Sequence, residues 1–105
     1  LAESIDVSIE ANDYESGNVY VIDGTQKKSL VLEIGTTYTF NHSSNHPLRF
    51  STTSDGTHND GSEYMNGVTT SAGVTTIEVT ENTPSNLYYF CQIHAGMGAD
   101  ITISN

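Results

Sequence analysis

The stretch Tyr88-Tyr89-Phe90-Cys91-Gln92-Ile93-His94-Ala95-Gly96-Met97-Gly98 sets the chain's only cysteine three residues before a histidine and six before a methionine. A second imidazole stands far upstream, in Asn45-His46-Pro47-Leu48. Two histidines and one thiolate in a rough trigonal plane, with a weak thioether above it, make the donor set of a type 1 copper centre. Cupric and cuprous ions want different geometries, so fast one-electron transfer needs a site that changes little between them, and this donor set meets that need. Taken singly, each residue has a plainer reading. Cys91 after three aromatics suits a buried core position, His46 before Pro47 suits a turn, and Met97 between glycines suits loop filler. Taken together, their types, order and spacing point to one copper ion bound by His46, Cys91, His94 and Met97.

His42 competes with His46 for the upstream position. The Pro47-Leu48-Arg49-Phe50 that follows His46 re-enters an apolar strand, whereas Ser43-Ser44 after His42 does not, so His46 is the assignment. His58 lies in a polar run and is expected to be exposed and uninvolved. Small residues surround Met97 in Ala95-Gly96-Met97-Gly98 and hold it less firmly than bulky ones would. The thioether is the expected axial donor, with water as the alternative. A single cysteine excludes an internal disulfide, and with it a two-cysteine zinc or dinuclear copper site.

The elements that must position these residues are strands. Nothing reads as a helix; apolar residues recur with a period of two between Gly, Asn and Asp turns, the pattern of a sandwich or barrel of short strands. Ile5, Val7 and Ile9 alternate along a first strand, and Val19 and Val21 lie in another that ends at Asp23-Gly24. Leu30, Leu32 and Ile34 alternate up to Gly35, Thr37–Asn41 carries Tyr38 and Phe40 on opposite faces, and Leu48 with Phe50 opens the strand after Pro47. Ile77 and Val79 mark a later strand; Leu87, Tyr89 and Cys91 share one face before the His94 loop; Ile101 and Ile103 close the sheet. Residues 51–73 read as one long polar loop, and loops of that length are often functional. Its Asp55-Gly56-Thr57-His58-Asn59-Asp60-Gly61 run faintly suggests calcium, but Asp60 stands where an EF-hand needs glycine and Asn66 where it needs glutamate, so a solvated loop is the reading. Asn41-His42-Ser43 is a glycosylation sequon of a kind that arises readily by chance.

The Cys91 loop and the His46 segment resemble the cupredoxin family, the small blue copper proteins. The Cys-x2-His-x2-Met spacing of Cys91, His94 and Met97 is similar to the short amicyanin-like loop, and His46-Pro47-Leu48-Arg49-Phe50 is similar to the family's His-x-apolar-x-Phe strand. The likeness is specific from about Tyr38 to Ile103; earlier it is strand rhythm alone. It implies an all-β Greek-key β-sandwich, one domain over residues 1–105, with copper below the surface at one end and His94 as the exposed electron port. Two positions depart from the family. Pro47 stands where many members have Asn, whose backbone N–H donates to the thiolate sulfur, and proline has no N–H. Ile93, where many members have Pro, can donate instead. A reduction potential ordinary for the family is the expectation, since hydrogen bonds to the sulfur tune it.

Thirteen acidic residues against three basic ones give a formal charge of −10 in 105 residues. Such a chain repels polyanions, which argues against nucleic acid and anionic membranes, and it favours solubility and steering toward a basic redox partner. No stretch is apolar for the length of a membrane span. Leu1 leads straight into polar sequence, as expected of a mature or trimmed form. A monomer outside the cytoplasm, in the periplasm, secreted or at the cell surface, is the expectation. The leading function is a one-electron carrier. The alternative is an open-site mononuclear copper protein that binds or oxidises a small molecule such as nitric oxide, although no catalytic base or second metal site is visible in the sequence.

Overall fold

A computed structural model describes all 105 residues. Eleven strands and one short 3-10 helix make up its regular structure, so the class is all-β, as the period-two pattern predicts. The strands form three sheets. In the first, β1 (Ala2–Asp6), β6 (Thr37–Asn41), β9 (Val74–Glu78) and β8 (Val68–Ser71) lie in that order, with β1 and β6 parallel. In the second, β5 (Leu30–Glu33), β11 (Ala99–Ser104), β10 (Asn86–Cys91) and β7 (Leu48–Ser51) follow one another, with β5 and β11 parallel. A third, smaller sheet joins β2 (Ser8–Ala11), β3 (Asn18–Ile22) and β4 (Thr25–Gln26).

Alternation along the strands builds one shared core. Leu30 and Leu32 on β5, Leu48 and Phe50 on β7, Leu87, Tyr89 and Cys91 on β10, and Ile101 on β11 point inward from the second sheet. Tyr38, Phe40 and Ile77 meet them from the first. The Phe40 and Phe50 rings, one from each sheet, pack edge to face with centroids 5.5 Å apart, a geometry aromatic pairs favour. Tyr20 and Ile22 of β3 complete this core.

Several expectations need correction. Tyr38 and Phe40 are both buried on the same side of β6, because residues two apart on a strand share a face. The first strand is two: β1 pairs with β6 and β2 with β3, and Val7 between them gives its N–H to Asn41 O at 2.8 Å as the chain passes from one sheet to the other. Residues 51–73 are not one loop. They hold the end of β7, a 3-10 helix at Gly56–Asn59, a bridge from Tyr64 to Phe50, and β8 in a hairpin with β9. Strand β8 carries a single apolar residue, Val68, and lies at a sheet edge, so it shows little alternation.

Candidate metal centre

The pairing of β7 with β10 brings together residues far apart in sequence. Cys91, the last residue of β10, lies opposite Leu48, the first of β7. The ladder runs one step further, with the Gln92 N–H donating to Pro47 O at 2.9 Å. His46 precedes Pro47 at the end of a tight turn in which its own N–H donates to Ser43 O at 3.1 Å. An antiparallel register that pairs Leu48 with Cys91 therefore puts His46 beside the chain that leaves β10 toward His94.

There the three side chains converge. Cys91 Sγ is 4.0 Å from His46 Nδ1 and 3.8 Å from His94 Nδ1, and all three atoms lie within 4.8 Å of one another. The imidazole centroids are 4.7 Å apart. Metal bonds of about 2.0 Å to nitrogen and 2.3 Å to sulfur put a sulfur and a nitrogen roughly 3.5–3.7 Å apart around one ion, so both sulfur–nitrogen spacings lie within about half an ångström of coordination distance, and the two imidazoles need only close toward each other to share an ion. Cys91 is fully buried, His46 half-buried and His94 exposed. Burial, and then the neighbouring His94, hold the His46 imidazole below its ordinary pKa. That favours the neutral ring a metal needs as ligand. The cluster has the donors and the spacing to hold a metal ion.

Met97 is 1% exposed and lines, with His46, His94 and Asn18, a cavity of roughly 440 Å³. Its carbonyl accepts the Tyr20 N–H at 3.0 Å. Gly98 beside it is less free than its small size suggests. A Cβ on Gly98 would collide with the Tyr89 carbonyl, so glycine there reflects close strand approach rather than looseness. The Ile93 N–H makes no hydrogen bond to Cys91 Sγ, which faces the two imidazoles.

The other histidines are engaged elsewhere. His42 has one ring nitrogen 2.9 Å from Ser43 O and the other 2.9 Å from Thr75 Oγ1, which leaves neither for the cluster. His58 is exposed, as expected, but not uninvolved: its Nε2 lies 2.7 Å from the Cys91 carbonyl oxygen and its ring stands edge-on to Phe90. Tyr20, missed in the sequence, donates its hydroxyl to His46 O at 2.6 Å. Burial, and then the adjacent Cys91, raise its phenol far above the ordinary range. Only its place beside Val19 and Val21 marked it as a strand residue, and no spacing rule ties a tyrosine there to His46. Asp55 was also missed; both its carboxylate oxygens accept the Gly96 N–H, at 3.0 and 3.1 Å.

Comparison of the sequence with models of known protein families and with curated proteins found no match in either.

Proposed function

We propose that this chain is a type 1 copper protein of cupredoxin-like Greek-key design that carries single electrons. The observation that supports the reading is the convergence of His46 Nδ1, Cys91 Sγ and His94 Nδ1 within 4.8 Å, with the methionine Met97 on the same cavity. One soft thiolate, two imidazoles and a thioether suit copper better than zinc, which in structural sites takes four strong ligands and in catalytic ones three plus water. Copper bound by this set supplies a one-electron couple between its cupric and cuprous states.

The protein's own part is to hold the donors still. Cys91 Sγ sits on a paired strand with no exposure, His46 is fixed by the Ser43 turn and by the Tyr20 hydroxyl on its carbonyl, and the β7–β10 ladder runs past Cys91 to Pro47, next to His46. Ligands locked in this way change little between oxidation states, which keeps the barrier to electron transfer low. His94 is exposed, with Ile93 (58% exposed) and Ala95 beside it. This apolar rim is where a redox partner makes its brief contact, since electron-transfer encounters use small interfaces. Attraction from the −10 charge favours a basic partner. A monomer outside the cytoplasm completes the proposal.

The test is a redox titration of the copper-loaded protein. The proposal predicts one bound copper per chain and a reversible one-electron wave that survives His42→Ala and is lost in His46→Ala. Absence of copper uptake, or an irreversible wave, would overturn it.

A further inference from the structure

The segment Gln92–Gly98 carries His94 and Met97, yet no backbone hydrogen bond joins two of its own residues. It is held from outside. Pro47 O binds the Gln92 N–H and the Tyr20 N–H binds Met97 O near its two ends. Gln92 Nε2 also donates to Glu63 Oε1 at 3.4 Å, and two further contacts, one to the loop and one to its root at Cys91, come from the turn that contains the Gly56–Asn59 helix. Asp55 takes the Gly96 N–H between its two carboxylate oxygens, and the Nε2–H of His58 donates to the carbonyl of Cys91. These two bonds grip the ligand loop on either side of His94.

The local sequence is built for that approach. Asp55 (φ 60°), Gly56 (φ 54°) and Asp60 (φ 62°) all adopt the left-handed conformation. Aspartate tolerates it better than most residues, and such strain persists only where the surroundings enforce it. Gly56 lies flat on the ring of Phe90, the residue before Cys91; a Cβ there would stand 2.5 Å from Phe90 Cε1. Any other residue would lift the turn off the strand and carry Asp55 and His58 out of reach. Asp55-Gly56-Thr57-His58 thus aims its chemistry inward, at the loop, although it reads as solvated sequence.

We infer that the turn Asp55–His58 is a clamp that preorganises the metal-ligand loop, with Asp55 and His58 as positioning residues for His94 and Cys91. The inference rests on the reading of this cluster as a metal site. A loop ordered before the ion arrives does not charge its ordering entropy against binding, and a restrained His94 stays near coordination geometry in the metal-free protein.

The test uses amide hydrogen exchange of the metal-free protein by NMR, together with cupric ion titration. The Gly96 amide should be protected in the wild type and exchange about tenfold faster in Asp55→Ala, the scale of one lost charge-assisted hydrogen bond. Asp55→Asn, which keeps an acceptor, should restore most of the protection. His58→Phe keeps a ring against Phe90 but loses the donor. It and Asp55→Ala should each weaken cupric binding about tenfold or more, as changes to outer-shell partners do, while amides of β5 and β11 exchange at wild-type rates. An unprotected Gly96 in the wild type would overturn the clamp. So would an Asp55→Ala effect spread equally over β5 and β11, which would make the turn a packing element alone. If Gly96 is protected and responds to these variants but the protein takes up no copper, the clamp stands and the copper reading falls.

Discussion

Cys91 places the sulfur donor of the cluster at the buried end of β10, and the residues around it divide by what their polar atoms touch. His42 has both ring nitrogens occupied, by Ser43 O and Thr75 Oγ1. His42→Ala should therefore leave metal binding intact and cost stability instead, about 1–2 kcal/mol for two hydrogen bonds on the scale of mutational series, measured by urea unfolding of the metal-free protein. Met97 answers a different question. It is buried and lines a cavity together with both imidazoles. Met97→Ala should change both the colour and the reduction potential of the copper form. Azide should shift the visible spectrum of the variant more than that of the wild type. A variant indistinguishable from wild type would make the open site, and with it small-molecule chemistry, the better reading.

At the scale of elements, the site is a consequence of two strands ending side by side. Gly98→Ala should be among the most damaging single changes, since the added Cβ would run into the backbone of Tyr89 and Phe90, which has no flexible end to give way. A loss of about 1–3 kcal/mol or more, typical of overpacking, should appear in denaturant unfolding, and copper affinity should fall with it because Tyr89 lies two residues before Cys91. The strands whose apolar residues alternate, β5, β7, β10 and β11, were legible in the sequence, as was the Asp23-Gly24 turn, where both residues have positive φ (51° and 76°). So was the convergence of His46, Cys91 and His94, because donor types and loop spacing are local properties. The split at Val7, edge strand β8 and the roles of Tyr20, Asp55 and His58 were not. Each depends on which distant segment lies alongside, and a hydrogen bond from His58 to the Cys91 carbonyl leaves no periodicity to read. Gly98 was misread as slack for a related reason: a missing side chain looks the same in sequence whether it permits motion or close packing.

For the whole molecule, charge decides how partners arrive. The chain carries −10, and Arg49, one of its three basic residues, is paired with Glu63 at 3.3 Å, so long-range attraction acts on cations. Electron exchange of the copper protein with a basic redox protein should slow several-fold or more between low and physiological salt, as steered associations do. Exchange with a neutral small-molecule reagent should change little. A rate with the basic partner that ignores ionic strength would leave the charge as a solubility feature. No helix is long and apolar enough to cross a membrane, and the exposed Ile93 and Ala95 flank His94 beside the cluster.

The central claim, that the buried thiolate of Cys91 and the two imidazoles bind one copper ion, is tested most directly by the visible absorption spectrum during cupric ion titration. The account predicts an intense thiolate-to-copper charge-transfer band that saturates at one equivalent, is abolished by Cys91→Ala and persists in His42→Ala. A colourless protein at saturation, or a band unchanged by Cys91→Ala, would contradict it.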